Sequence, residues 1–372
     1  MVIPPDFGME RFTKYKTMVF PREVMVGHKT IDQIKEMIRR ISDAKRLLIV
    51  SDKNTQRIAG DRIHKILAGA GYEIDTVTLS LPIIKKNIPP AWPSIKEVDL
   101  VLKKAKKFDT ELFLGVGGGS VIDVTKVAAC ELSKKFVSIP TSAAHDGMAS
   151  PRASLKDKKG SLSKTADSPI AVLADTEIIS KAPYRMLASG CADVISNISA
   201  VKDWELAHRL KNEEFSTFAA SLSETSSQLL LEKAEDIRSG LEEAVWQAVK
   251  CMIVSGVAMS VAGNTRPASG AEHMFSHMLD RIAPGRAMHG EQCGVGAIMM
   301  MYLHGEDWEE IRDALETLGA PTTANELKIP KKKIIEALLR AQEIRPERYT
   351  ILGEQGLTED AAKKLAKITG VI

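Results

Sequence analysis

Short apolar runs alternate with amphipathic helical patterns in the first half of the chain, and this alternation limits the possible folds more than any other feature. Strand-like runs lie at residues 45–52, 72–80, 111–118 and 135–142, with helical spacing in the segments between them. Such alternation indicates βαβ crossovers, which build a parallel sheet with helices on both faces. We therefore predict a doubly wound, Rossmann-like α/β unit.

The second half of the sequence has a different character. Residues 154–175 have the pattern of a polar hairpin followed by a buried strand, and after "KAPYR" nearly every segment has helical spacing. A chain of 372 residues exceeds the size at which one hydrophobic core keeps growing. We predict an α/β domain over 1–182 and an all-α domain over 183–372, with the ligand in the crevice between them.

Composition excludes several classes of protein. The chain is 44% hydrophobic and 27% charged, as in ordinary globular proteins, and its net charge of +3 is too diffuse for a nucleic-acid partner. The four cysteines are widely spaced without a CxxC pair, which is typical of reduced thiols. The first 16 residues lack the pattern of a signal peptide, and we see no apolar run of membrane-spanning length. We expect a cytoplasmic protein without stable membrane insertion.

A glycine-rich turn, "LGVGGGSVID" at 114–123, joins an apolar strand to an apolar helix. Backbone N–H groups at such a helix start attract phosphate, although a tight turn that binds nothing is the alternative. The usual dinucleotide pattern has a third glycine where this chain has Ser120, and no acidic residue ends the next strand. Asp52, at the end of an earlier strand, is the better candidate for a ribose contact, and a carboxylate there would favour NADH over NADPH.

The segment "PTSAAHDGMASPRASL" at 140–155 follows the fourth strand directly. Ligands bind at the carboxyl ends of parallel strands, and here polar residues alternate with small ones that allow close approach. The alternative is a turn rich in Asx and serine residues.

Three histidines lie close together in the second half. His273 and His277 share a helical face at i and i+4, and His289 follows a Pro-Gly break. Catalytic zinc usually takes three protein ligands, often with a carboxylate among them. Asp193 lies in an apolar, small-residue stretch where an unpaired carboxylate would be unfavourable. A packed polar face for the histidines and a capped buried carboxylate for Asp193 remain the alternatives.

Six segments are similar, in the same order, to the sn-glycerol-1-phosphate dehydrogenases, a branch of the iron-type alcohol dehydrogenase and dehydroquinate synthase-like superfamily. They are "GVGGGSVID", "PTSAAHDGMASPRASL", "SPIAVLADTEII", "SGCADVISN", "RPASGAEHMFSHMLD" and "MHGEQCGVG". The resemblance runs roughly from Val24 to Leu303 and implies a dehydroquinate synthase-like fold. From Glu306 onward it is loose and assigns no functional residue.

This resemblance implies an NAD(P)H-dependent reduction of dihydroxyacetone phosphate to sn-glycerol 1-phosphate, the backbone of archaeal ether phospholipids. It also implies one divalent metal per subunit, usually Zn²⁺, with Fe²⁺ or Ni²⁺ as alternatives. We further expect a homo-oligomer.

The motifs assign residues to three roles. Asp193, His273 and His289 match metal ligands, while Asp146, Asp193 and His277 match substrate contacts, with Asp193 and His277 as the catalytic residues. For the substrate phosphate our candidate is Arg266, with Arg281 and Arg286 as alternatives. The expected cofactor-binding residues are Asp52, Gly117, Gly118, Gly119, Ser120, Val121, Asp123, Thr141, Ser142, Ala143, Ala144 and Ser150.

Three other functions compete with this interpretation. A glycerol dehydrogenase would share the fold and metal but lack a phosphate site. A lyase of the dehydroquinate synthase type would be expected to have a glutamate ligand and a pocket rich in lysine and arginine. A catalytically inactive nucleotide-binding protein would not need the intact ligand set.

Overall fold

The computed structural model describes residues 17–81, 93–157 and 160–372. Within them, six parallel strands form one sheet in the order β1-β8-β5-β4-β2-β3, and two antiparallel strands form a hairpin. The sheet strands are β1 Glu23–Gly27, β2 Arg46–Asp52, β3 Glu73–Leu79, β4 Leu112–Gly117, β5 Lys135–Pro140 and β8 Ala171–Asp175; the hairpin strands are β6 Arg152–Asp157 and β7 Gly160–Thr165.

Helices flank the sheet and then form the whole second half. Those of the first half are α1 Ile34–Ile41, α2 Lys53–Thr55, α3 Asp61–Gly69, α4 Ile95–Phe108, α5 Gly119–Glu131 and α6 Thr176–Ile179. Those of the second half are α7 Tyr184–Ile195, α8 Asn197–Lys211, α9 Thr217–Glu232, α10 Ala234–Arg238, α11 Glu242–Ala262, α12 Ala271–Ile282, α13 His289–His304, α14 Trp308–Leu318, α15 Lys331–Arg340 and α16 Glu359–Ile368. The predicted fold class is confirmed.

Two hydrophobic clusters cover the two faces of the sheet. One packs α1 and α3 against one face and includes Met37, Leu47 and Leu114. The other is continuous from the opposite face of the sheet into the helical half, and includes Phe113 and Phe275. The two halves therefore share one continuous hydrophobic core.

The division into domains at 182 and 183 stays a prediction. The last sheet strand ends at Asp175 and α7 begins at Tyr184, so the change from mixed to helical structure falls between them. The sequence patterns missed β1, whose five residues form a short edge strand with partly exposed side chains. Residues 1–16, in which we expect no signal peptide, lie outside the described residues.

Helix α11 is long and apolar enough to cross a membrane by length and composition. Of its most apolar window, 72% is buried inside the protein. A core helix meets the same criteria, and α11 packs against α7 and α9.

Candidate active site

Three helices bring the predicted metal ligands together. Asp193 lies near the end of α7, His273 lies in the first turn of α12, and His289 is the first residue of α13. Oδ1 of Asp193 lies 3.7 Å from Nε2 of His273 and 3.6 Å from Nε2 of His289. That oxygen is buried and has no hydrogen-bond partner. A buried, unpaired carboxylate oxygen facing two imidazole nitrogens is an arrangement that a divalent metal ion would complete.

A carboxylate orients the first imidazole. Oε1 of Glu272 lies 2.8 Å from Nδ1 of His273, so Nε2 of that ring faces Asp193. The Ser199 hydroxyl and the Gly270 N–H donate to Glu272 at 3.0 and 2.7 Å. A carboxylate behind a metal-binding histidine selects its tautomer and makes it a stronger ligand. Helical spacing offered no role for Glu272, because the contact joins adjacent residues.

The second imidazole is held by its own helix and by α12. Nδ1 of His289 lies 3.1 Å from the Ser276 hydroxyl, which donates to Gln292 at 2.7 Å. The Cys293 sulfur lies 3.6 Å from Nε2 of His289, so a thiol also borders the site. Burial and the charge of Asp193 raise the pKa of Cys293 well above its usual value, which keeps the thiol protonated.

Glycines allow the ligand-bearing helices to approach this closely. A Cβ on Gly290, next to His289, would lie 1.9 Å from the Ser189 carbonyl oxygen on α7. A Cβ on Gly190 would lie 2.4 Å from the Ala143 carbonyl oxygen in the segment after β5. Backbone contact at both positions therefore sets the distance between α13, α7 and the edge of the sheet.

His277 lies beside the three ligands. Its ring stacks on that of His289, with centroids 5.5 Å apart and planes inclined by 28°. Burial and the positive charges of His289, His273, Arg345 and Arg281 hold the pKa of His277 well below its usual value. The side chain is therefore neutral near pH 7.

Asp280 is a buried acid that the sequence interpretation did not use. Its carboxylate accepts from the Gln292 amide at 3.2 Å, and Oδ2 lies 4.0 Å from Nδ1 of His277. Burial raises the pKa of Asp280 to about 8. His277, Asp280 and His289 also form a compact group that can hold a metal ion, but it shares His289 with the first group.

Asp146 joins the segment after β5 to the metal ligands. Its backbone N–H donates to Oδ2 of Asp193 at 3.2 Å, and the Ser255 hydroxyl donates to its side chain at 2.7 Å. The Asn197 amide in turn donates to Ser255 at 2.8 Å. Burial and the charge of Asp193 raise the pKa of Asp146 to about 6. Asp146 thus lies beside a predicted metal ligand, and its role as a substrate contact stays a prediction.

The glycine turn lies at the carboxyl edge of the sheet, where β4 ends and α5 begins. Gly118 is the N-cap of α5 and provides no side-chain cap, so the first turn presents backbone rather than side chain. A Cβ on Gly118 would meet the Ser142 hydroxyl at 3.2 Å, and the Thr141 N–H donates to the Gly117 carbonyl at 3.1 Å. The two predicted cofactor-binding segments therefore lie side by side.

His145 lies between this turn and the metal ligands, and the sequence interpretation gave it no role. Its Nδ1 accepts from the Gly147 N–H at 2.8 Å, and its Nε2 would lie 1.7 Å from a Cβ on Gly119. Its charge also acts on Asp193 and His289. The only sequence signal was a histidine among small residues after a parallel strand.

A buried lysine supports the segment that carries Asp146 and Ser150. Nζ of Lys126 donates to the carbonyls of Gly147 and Arg152, at 2.8 and 2.5 Å, and lies 3.3 Å from Asp123. The other Asp123 oxygen accepts from the backbone N–H of Ser154 at 2.9 Å. Asp123 therefore supports the hairpin, and both of its oxygens contact protein donors rather than facing the glycine turn.

Two further predicted site residues, Asp52 and Arg266, have structural partners. Oδ1 of Asp52 caps α2 by accepting from the N–H groups of residues 54 and 55, at the same edge of the sheet as the glycine turn. Arg266 is only 2% exposed, and its guanidinium donates to Glu213 and, at 2.8 Å, to the Tyr349 carbonyl. The donors of Arg266 thus contact protein acceptors rather than a pocket, while Arg281 and Arg286 are exposed.

The segment after β5 joins the glycine turn to the predicted metal ligands, since Thr141 contacts Gly117 and Asp146 contacts Asp193. A family model of the iron-containing alcohol dehydrogenases matches residues 25–183. Among solved structures, glycerol dehydrogenase from Schizosaccharomyces pombe has a TM-score of 0.79 at 20% identity and covers 96% of this chain and 92% of its own. A probable glycerol dehydrogenase from Sinorhizobium meliloti has a TM-score of 0.78 at 20% identity and covers 96% and 100%. At these identities the likeness shows the fold alone.

Relatives of higher sequence identity identify the family to which the chain belongs. The glycerol-1-phosphate dehydrogenase [NAD(P)+] of Methanosarcina mazei is 51% identical over 357 residues, which are 96% of this chain and 97% of the relative. The enzyme of the same name from Pyrococcus horikoshii is 48% identical over 95% of this chain and 99% of its own length. The chain belongs to the glycerol-1-phosphate dehydrogenase family, and the predicted resemblance is confirmed.

Proposed function

We propose that the protein catalyses the reversible NAD(P)H-dependent reduction of dihydroxyacetone phosphate to sn-glycerol 1-phosphate. The observation that carries the proposal is the unpaired Oδ1 of Asp193, buried and directed at two imidazoles, in a chain about half identical to glycerol-1-phosphate dehydrogenases. The product would supply the backbone of archaeal ether phospholipids.

Asp193, His273 and His289 would hold a zinc ion. One carboxylate and two imidazoles suit Zn²⁺ and leave a coordination position open, although Fe²⁺ or Ni²⁺ can use the same donors. When bound, the ion supplies Lewis-acid polarisation of the substrate carbonyl. Glu272 fixes the tautomer of His273, so that Nε2 keeps its lone pair for the metal.

The cofactor would lie along the carboxyl edge of the sheet. The backbone at Gly118 and Gly119 binds its phosphates at the start of α5, and the segment at 141–144 borders it from β5. Asp52, whose Oδ1 caps α2, would accept a hydrogen bond from the adenosine ribose, and a carboxylate at this position favours NADH over NADPH. The small residues between these segments leave room for the nicotinamide to reach the substrate.

His277 and Asp146 would bind the substrate and manage its proton. Neutral His277 accepts the hydroxyl proton when the alcohol is oxidised and then releases it to solvent. In the reduction, a proton taken up from solvent passes through His277 to the new alkoxide. Asp146, held by Ser255, hydrogen-bonds a substrate hydroxyl and fixes its orientation.

The proposal extends to location and assembly. The four cysteines are free thiols, in keeping with the cytoplasm. An apolar groove between α9 and α11, lined by residues such as Phe218 and Leu229, is exposed, and exposed apolar patches mark subunit contacts. We therefore propose a cytoplasmic homo-oligomer.

Initial rates with dihydroxyacetone phosphate and with free dihydroxyacetone test the function. We expect a higher kcat/KM for the phosphorylated ketone, and we expect the product to be sn-glycerol 1-phosphate rather than its enantiomer. Asp193→Asn should abolish turnover and reduce the zinc content measured by elemental analysis, because it removes the anionic ligand. Preference for the free ketone would instead identify a glycerol dehydrogenase, and full activity of Asp193→Asn would reject the metal site.

A further inference from the structure

Three arginines cluster where the C-terminal segment meets the start of α12. Arg345 and Arg348 both donate to the Thr265 hydroxyl, at 3.1 and 2.7 Å, and Arg348 also donates to the Ser269 carbonyl. Arg266 lies beside them and pairs with Glu213. Three guanidinium groups therefore lie close together, and one of them, that of Arg266, forms an ion pair with a carboxylate.

The charge of this cluster is only partly compensated. Among the described residues, no carboxylate lies within 4.0 Å of Arg345 or Arg348. Burial and neighbouring arginines lower the pKa of Arg348 to about 9, and burial also lowers that of Arg345. Cations held together without an anion are unfavourable in a protein, so the cluster is suited to receive an anion.

Arg345 connects the cluster to the substrate pocket. Arg345 directly follows the turn at 341–344, which packs against α12, the helix that carries His277. The hairpin that carries Arg152 contacts α12 as well, through β7. In dihydroxyacetone phosphate, only a methylene and an ester oxygen separate the phosphorus from the reacting carbonyl carbon. A substrate whose carbonyl lies near His277 and Asp193 must therefore have its phosphate close by.

We propose that Arg345, from the C-terminal segment, and Arg152, from the hairpin, bind the phosphate of the substrate between the two halves of the chain. Arg348 and Thr265 position Arg345, since Arg348 is fixed on Ser269 and shares the Thr265 oxygen. Guanidinium groups match phosphate oxygens geometrically, and two of them neutralise a phosphate monoester dianion. This assignment rests on the proposed function. It replaces Arg266, which is buried and ion-paired with Glu213. Arg345 and Arg152 each donate to a threonine hydroxyl but are partly exposed.

The test compares kcat/KM for dihydroxyacetone phosphate with kcat/KM for dihydroxyacetone in Arg345→Met and Arg152→Met. We expect the ratio to fall about 10- to 100-fold in each variant, mainly through KM for the phosphorylated ketone. Arg345→Lys, which keeps the charge, should restore part of the ratio. Arg340→Met, a neighbouring arginine whose exposed side chain pairs with Glu343, is the matched control and should leave the ratio unchanged.

A binding measurement separates this proposal from the proposed function. Inorganic phosphate should raise the Tm of the wild-type protein and of Arg340→Met, and raise that of Arg345→Met much less. If the wild-type protein prefers the free ketone, the proposed function is rejected. The effect of inorganic phosphate on Tm would then still show whether Arg345 binds phosphate. An unchanged substrate ratio in Arg345→Met, an equal loss with both ketones, or an effect on NADPH alone overturns the assignment.

Discussion

Gly290→Ala should separate the metal ligands without removing any of them. The new Cβ would lie 1.9 Å from the Ser189 carbonyl oxygen, whereas real contacts of this kind essentially never fall below 3.0 Å. The spacing between α13 and α7 must therefore grow by about 1.1 Å at that point. His289 is the preceding residue, and Asp193 follows Ser189 by one helical turn, so the displacement acts directly on the distance between two ligands.

The magnitude follows from comparing this shift with the tolerance of a metal site. Ligand distances are acceptable within about 0.2 Å, so we expect zinc affinity to fall about 100-fold or more. Overpacking costs about 1–3 kcal/mol, offset by up to about 1 kcal/mol from the better helix propensity of alanine. For a chain of this size, the net loss lowers Tm by a few degrees.

The assay is zinc affinity by chelator competition, alongside Tm with and without zinc. Gly69→Ala is the control, because Gly69 lies in helix α3 and a Cβ there would meet no atom within 4 Å. It gains the same helix propensity and should keep wild-type zinc affinity. Wild-type zinc affinity in Gly290→Ala would refute the argument that this backbone contact sets the ligand geometry.

Three further predictions concern residues around the site. Burial raises the pKa of Asp280 from 3.8 to about 8, so the folded protein retains a proton that the unfolded chain releases. Unfolding free energy should therefore fall by up to about 1.4 kcal/mol per pH unit between pH 4 and 8, and Asp280→Asn should flatten this slope in denaturant titrations; equal slopes would contradict it. Lys126→Met leaves a buried cluster without its cation and should lower the free energy of unfolding by about 3–5 kcal/mol and weaken NADH binding, whereas an unchanged urea midpoint would contradict this. Gly119→Ala places a methyl group against the His145 ring and should weaken NADH binding about tenfold or more in fluorescence titrations; adding His145→Ala should recover most of the affinity, and no recovery would show that the ring is not the obstacle.

The sheet was predictable because its strands are buried, apolar and separated by helical patterns. All four runs chosen in the first half became strands β2 to β5, since periodicity records burial directly. The edge strand β1 was missed because five residues at a sheet edge carry little alternation. For the metal ligands, spacing favoured His273 with His277. The chemistry of the residues added His289 and Asp193 as candidates, and the motif resemblance separated His277 from the ligand set.

The supporting residues were beyond sequence reasoning for a physical reason. Lys126 and Glu272 act through contacts that depend on tertiary packing, and nothing in their local pattern distinguishes a buried charge from a solvated one. Arg266 shows the opposite error, because an arginine at the start of the metal-bearing helix suggested a phosphate contact. The structure pairs its side chain with Glu213, from a distant part of the sequence.

Opposite charges lie at the two ends of the proposed substrate pocket. At one end, Asp146 and Asp193 are buried side by side, and each raises the free energy of ionising the other. At the other end, Arg345 and Arg152 repel each other across the crevice. Binding a metal ion at the first end and a phosphate at the second relieves both repulsions.

A phosphorylated ketone reversed in the pocket would place its anion against the carboxylates, so the phosphate orients the carbonyl toward the metal ligands as well as adding affinity. Free dihydroxyacetone lacks that constraint. We therefore expect it to have a lower kcat as well as a higher KM than the phosphorylated ketone.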